Sequence, residues 1–327
     1  MSDYVMSSSN MAAVHSSALP LVMHSEFETK YEQLGGSAGF LGEPTSEIRL
    51  CPDERGLYRH FQGGSLYWYD GQIYEIHGAI RDKWAELGWE RSSLGYPISD
   101  EAAFSEDGRV SAFQNGLIYW WPDTGAIELN DVSVNFTGIV CFGETDYDQG
   151  SDSDEPYIVM GVLDPTGTSS LRSQVYQDVD AGESRADHVE LYRGKPRGLT
   201  ISTLIVEHDE EDPDKYKTAM QASVGAAFAG VTTLIAIIPV VGPFIAAVAG
   251  PLLAAVTPKV GEELNSLLDL GDDPIDLETV AMSAKDMVLL AARTTSTEEK
   301  GITYKVTTPL LSGHGASYKA YFDLVPV

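Results

Sequence analysis

Three short stretches of the chain concentrate carboxylates: GETDYDQGSDSDE (143–155), EHDEEDPD (207–214) and GDDPID (271–276). Carboxylate and carbonyl oxygens on flexible loops are the donor set of a calcium ion, which takes roughly six to eight of them. Each stretch therefore supplies candidate ligands. Calcium is the expected ion, with magnesium as the alternative. The competing reading is that these acids are solvated loop residues. The stretches lie far apart in sequence, so they form one site only if the fold joins their ends. Carboxylates so gathered would repel one another and raise their pKa values unless a cation balanced them.

A second chemistry lies in two aromatic runs, FQGGSLYWYDG (61–71) and FQNGLIYWWPDTG (113–125). Tyr67, Trp68, Tyr119, Trp120 and Trp121 have faces that could stack on sugar rings, which makes them candidate glycan contacts. Strand alternation puts Trp68 opposite Tyr67, and Trp120 opposite Tyr119 and Trp121. One face of each strand is therefore expected in the core and the other exposed. The alternative is that the rings only pack the fold.

The third feature is apolar. From Thr218 to Pro258 there is no charged residue, a run of 41. Pro239 and Pro243 bracket a turn, which divides the run into helices expected at about 220–238 and 244–268. The first is long enough to span a hydrocarbon layer of roughly 30 Å. Leu234, Ile235, Ile238, Val241, Phe244 and Ile245 are the candidate membrane contacts. Three roles compete: packing within the protein or between copies of it, insertion into lipid, and lining an apolar pocket.

The bulk composition narrows the partners. A net charge of -28 argues against nucleic acid, which needs clustered Lys and Arg. Residues 131–214 are the most acidic part, with 19 acids against 5 bases. Two cysteines, Cys51 and Cys141, cannot build a disulfide framework and are expected free and buried. Residues 1–28 lack the basic start and apolar core of a Sec signal and read as a flexible leader. A cytoplasmic location is the default, with release by a signal-independent route as the alternative. No GxSxG, HExxH, P-loop or well-placed GxGxxG occurs, and the seven histidines are scattered.

These features require elements that position them. Leu34, Gly35, Leu41, Gly42 and Pro44 recur as Leu87, Gly88, Leu94, Gly95 and Pro97, each set followed by an aromatic run. Each unit reads as a short helix ending at a glycine, a Gly-Pro turn and a tight β-hairpin. A repeat of about 50 residues is one supersecondary unit that buries its core against neighbours. From Asp131 the texture changes to alternating strands, VSVNFTGIVCF, YIVMGVL, LTISTLIVE, ITYKVTTPLL and ASYKAYFDLVPV, separated by the acidic stretches. A β-sandwich joins strand ends in the way the acidic stretches require.

Residues 29–129 resemble the LGFP repeat, whose motif stands here as LGEP and LGYP. The resemblance implies a module that attaches to a cell-wall or surface polymer. GSDSDEPYIVM and VEHDEED resemble the first and third loops of the calcium- and phospholipid-binding sandwich of protein kinase C and synaptotagmin. It is this resemblance that assigns Asp146 or Asp148, with Asp154, to the first loop, and Asp209, Glu211, Asp272 and Asp273 to the third. The apolar run is similar to the hydrophobic hairpin of colicin-type pore-forming toxins. Asp272, Asp273 and Asp276 also match the DDxxD magnesium motif of prenyl-diphosphate enzymes.

The fold class expected is mainly β with an α insertion. A leader at 1–28 precedes two repeats at 29–130 and an antiparallel β-sandwich at 131–327, with the helical hairpin inserted at about 216–268. The expected function is calcium-dependent binding to a membrane and a surface glycan, in the manner of a toxin-like effector. The hairpin is also a candidate homo-oligomer contact. The alternative is a metal-dependent enzyme that uses the apolar block as a pocket for a lipid or isoprenoid.

Overall fold

The computed structural model describes residues 21–145, 154–208, 212–229, 240–241, 244–245 and 274–327. The chain divides into two compact units, the first running to Asn130 and including Val240–Val241 and Phe244–Ile245, the second formed by the remainder from Asp131.

The first unit is a tandem repeat. Helix α1 (Leu21–Gln33) precedes the antiparallel meander β1 (Arg49–Leu50), β2 (Leu57–His60), β3 (Gly64–Tyr69) and β4 (Gln72–His77). Helix α2 (Gly78–Leu87) precedes a second meander, β5 (Ala102–Ala103), β6 (Arg109–Phe113), β7 (Gly116–Trp121) and β8 (Gly125–Leu129). Gly35 (φ 97°) and Gly88 (φ 107°) follow the two helices in the left-handed conformation that glycine adopts without a Cβ clash. Residues 21–28, assigned to the leader from sequence, belong to α1. Met23, Phe27 and Tyr31 recur every four residues, form one helical face and are buried with Leu41, Leu57 and Trp68.

The second unit holds two antiparallel sheets. One orders β11 (Gly167–Arg172), β10 (Pro156–Asp164), β13 (Leu199–Glu207) and β16 (Pro274–Met282). The other orders β12 (Ser184–Gly194), β9 (Val132–Gly143), β21 (Ala316–Pro326) and β19 (Val306–Thr307), with β20 (Leu311–Gly313) paired to β21. The sheets touch at both edges, β11 against β12 and β16 against β20. The unit is therefore mostly β, built on two antiparallel sheets. Helix α4 (Ala284–Ala292) follows β16 and starts from a capping box: Ser283 Oγ accepts from Asp286 N, and the Asp286 carboxylate accepts from Ser283 N.

Helix α3 (Asp214–Ala229) carries the first twelve residues of the uncharged run, Thr218–Ala229. Its Tyr216, Met220 and Val224 are fully buried against Tyr157, Val159, Leu163, Leu204 and Val206. Arg172 pairs with Asp214 at 2.7 Å, Ser170 Oγ donates to Lys217 O, and Gln221 Nε2 donates to Thr168 O. The helix thus descends along β11 toward the β10–β11 turn. Gly161 permits the fit, because a Cβ there would lie 2.6 Å from Val224 Cγ2. This part of the apolar run is core.

Candidate functional site

The stems of the three acidic stretches meet at one end of the second unit. In the sheet register Pro156, at the start of β10, faces Glu207, at the end of β13, and Val206 faces Pro274, at the start of β16. Glu155 N donates to Glu207 Oε1 at 2.6 Å, and His208 N donates to Glu155 O at 3.2 Å. The end of β9 is tied in through Asp154, which is 3% exposed. Its carboxylate accepts from Thr145 N at 3.0 Å, Thr145 Oγ1 at 2.8 Å and Tyr318 Oη at 2.5 Å. Burial, and then this bond to Asp154, push the Tyr318 phenol far above its ordinary pKa. Asp154 was expected as a metal ligand from sequence. Its oxygens are instead taken by three protein donors, which brace the loop onto β21.

Asp146, Asp148, Asp209, Glu211, Asp272 and Asp273 lie outside the described residues. Among the described residues no group of three or more His, Cys, Asp or Glu could hold a metal. Asp276, the last acid of the DDxxD match, accepts from Leu277 N at 2.8 Å and Ser312 N at 2.9 Å, and so pins β20 to β16.

The apolar candidates divide the same way. Leu234, Ile235 and Ile238 lie outside the described residues. Val240–Val241 (β14) pairs antiparallel with Phe244–Ile245 (β15). The second helix expected to begin at Phe244 therefore does not start there. Two valines, then Phe-Ile, suit β-pairing by their branched and aromatic side chains. Among the described residues no helix is long and apolar enough to cross a membrane.

The aromatic candidates alternate between faces as expected, but the expected exposure of one face is corrected. Tyr67, Trp68, Tyr119 and Trp121 are all buried, so both faces of β3 are covered. Trp68 faces the cluster beneath α1, and Tyr67 faces a second cluster built from Trp84 of α2 and Leu94, Tyr96 and Phe113 of the second repeat. Adjacent repeats bury what one repeat would expose. A ring so enclosed cannot stack on a sugar. Trp120 alone of the five is half-buried.

The LGxP motif acts as a latch. Leu41 and Leu94 fill the core. Gly42 (φ 67°) and Gly95 (φ 73°) turn left-handed, and Pro44 and Pro97 bridge Phe61 and Phe113. The next residues, Gln62 and Gln114, fold back over the turn: Gln62 Oε1 accepts from Glu43 N at 3.1 Å, and Gln114 Oε1 from Tyr96 N at 3.0 Å. Residue for residue, the two turns are built alike.

Sequence reading passed over one half-exposed cluster, formed by Tyr58, His60, Arg81 and Trp89. The Arg81 guanidinium lies over the Trp89 ring at 5.2 Å. The buried Ser65 hydroxyl contacts His60 Nδ1 at 2.7 Å and accepts from Arg81 Nε at 2.9 Å. Burial, then Arg81 and Arg49, lower the His60 pKa. Elsewhere in the unit, Glu75 bonds His77 Nδ1 at 2.7 Å and raises the His77 pKa. Cys51 and Cys141 are free and buried, and burial pushes the Cys51 thiol up to about 12.

Comparison with known families agrees with this geometry. The LGFP repeat matches twice, over residues 41–92 and 94–132. Residues 41–132 thus carry two LGFP repeats, and the two latches coincide with the two matches. No curated protein matches the chain.

Proposed function

We propose that the protein binds a cell surface through two modules: the LGFP repeats attach to a wall or surface polymer, and the acidic end of the second unit takes up calcium. The observation that supports the second part is the meeting of three acidic-loop stems at one end of the sheets. Asp146, Asp148, Asp209, Glu211, Asp272 and Asp273 belong to the segments leaving those stems, and they remain the candidate ligands. Asp154 serves as their brace. Contact with lipid, in this reading, falls to the apolar residues after Ala229. Helix α3 leads the chain away from the acidic end, so docking by calcium and anchoring by apolar residues are two separable events.

The test is a calcium titration of thermal unfolding, run beside co-flotation with anionic liposomes in calcium and in chelator. A site with dissociation constant Kd adds about 2.7 kcal/mol at a calcium concentration of about 100 Kd. The double substitution Asp209→Asn with Asp272→Asn should remove that gain while the protein stays folded. Calcium stabilisation that survives the double substitution refutes this ligand set. Tight magnesium or zinc binding in preference to calcium would favour the metal-dependent enzyme.

A further inference from the structure

We infer that Trp89, Arg81, His60 and Tyr58 form a binding site for an acidic saccharide, its anionic group held by Arg81 and its ring by Trp89. The inference rests on the reading of the LGFP module as a polymer binder and assigns that module a ligand class and a location.

The first observation is backbone conformation. Each repeat helix is followed by a glycine and then by a second residue with positive φ. In the first repeat that residue is Gly36, at φ 56°. In the second it is Trp89, at φ 58°. Glycine adopts this conformation freely, whereas a bulky side chain there is a genuine outlier, and such residues concentrate at binding sites. The second repeat thus holds a half-exposed tryptophan where its twin needs no side chain. The indole is set by Trp84, 5.3 Å away edge-on, and by Tyr67 at 6.4 Å.

The second observation is a relay of donors. Arg81 Nε–H donates to Ser65 Oγ, and the same hydroxyl is hydrogen-bonded to His60 Nδ1. In the tautomer that accepts from Ser65, a neutral His60 carries its proton on Nε2. Among the described residues, His60 Nε2, the two terminal nitrogens of Arg81 and the Tyr58 hydroxyl make no hydrogen bond. Asp82 stands 3.7 Å from Arg81 Nη1 and is largely exposed. Ser65, fully buried, locks the orientation of the set. The cluster therefore presents a guanidinium fork, an imidazole N–H and a phenol beside an indole. Such donors suit a carboxylate or phosphate, and the indole suits the apolar face of a sugar ring.

The experiment uses the full chain in chelator, with three probes: galacturonate oligomers, uncharged galactose oligomers and poly(glycerol phosphate). Binding is read by calorimetry, and folding of each variant by thermal unfolding. Galacturonate oligomers should bind, with uncharged oligomers weaker by about tenfold or more, because the charge-assisted bonds are lost. Arg81→Gln should cost about tenfold in galacturonate affinity. Trp89→Gly, which gives the second repeat the residue of the first, should weaken binding without unfolding the module. Equal binding of charged and uncharged oligomers overturns the inference. So does binding that survives both substitutions, and so does binding of poly(glycerol phosphate) alone with no dependence on Trp89. Retention of isolated wall material by both variants, with no affinity for any soluble probe, overturns this site and leaves the module's wider role standing. A chain that binds neither wall material nor probe overturns both.

Discussion

Gly161 sits in β10 directly beneath helix α3, and replacing it by alanine tests whether the start of the apolar run, Thr218–Ala229, is committed to the core. The added methyl would lie 2.6 Å from Val224 Cγ2 and 2.9 Å from both Met220 Cγ and Met220 Sδ. Unstrained carbon contacts lie at about 3.5–4.0 Å, so the helix must lift or Met220 must leave its rotamer. Both Val224 and Met220 are fully buried, which leaves them little room to give. Overpacking of this kind costs about 1–3 kcal/mol. For a unit of this size each kcal/mol lowers the midpoint by roughly 2–4 °C, so Gly161→Ala should lower the unfolding temperature of the second unit by about 2–12 °C. Differential scanning calorimetry on the full chain measures it. Met220→Ala supplies the cross-check. Alone it should cost about 2–5 kcal/mol through the cavity it leaves. Combined with Gly161→Ala the losses should fall short of additive by about 0.5–3 kcal/mol, because the new methyl enters the vacated space. Strict additivity, or an unchanged midpoint for Gly161→Ala, would mean that α3 does not rest on this sheet. The uncharged run would then be free in its entirety for lipid.

Two further outcomes concern the first unit. Gly95→Ala forces a left-handed backbone on alanine, at about 1–2 kcal/mol, and drives a Cβ to within 2.3 Å of Gln114 Oε1. The displaced amide would lose the bond from Tyr96 N, adding about 1–3 kcal/mol, so the first thermal transition should fall clearly while the second stays put. The other outcome is a pH dependence. The Glu75 hydrogen bond, joined by the charges of Glu75 and Glu101, raises the His77 pKa against the opposing burial and Arg109. A raised folded-state value means the stabilisation is complete below the ordinary histidine value of about 6.5 and is lost as pH rises through the folded value. His77→Gln should therefore destabilise the module more at pH 5.5 than at pH 8.5 by chemical denaturation. The reverse order would show that His77 is held neutral.

Much of the first unit was legible because its signals are local. The glycines after each helix, the LGxP turns and the paired aromatic runs state their backbone needs within a few residues. The Ser283–Asp286 spacing of the α4 capping box is a local signal of the same kind. The aromatic sites were less legible. Alternation along β3 assigns Tyr67 and Trp68 to opposite faces but is silent on what covers each face, and here both are covered. Asp154 looked like its acidic neighbours in sequence. Its buried position, 164 residues from Tyr318, makes it a brace.

The residue order by itself determined the tandem module, the β character of the second unit and the concentration of acids between its strands, since each follows from periodicity and composition over short windows. Which acids share an end, which aromatics are spent on packing, and that Ser65 orders His60 and Arg81 beneath Trp89 were decided by tertiary structure. Those outcomes depend on contacts between residues distant in sequence, where burial and hydrogen-bond satisfaction assign a side chain its role and no local pattern records the choice.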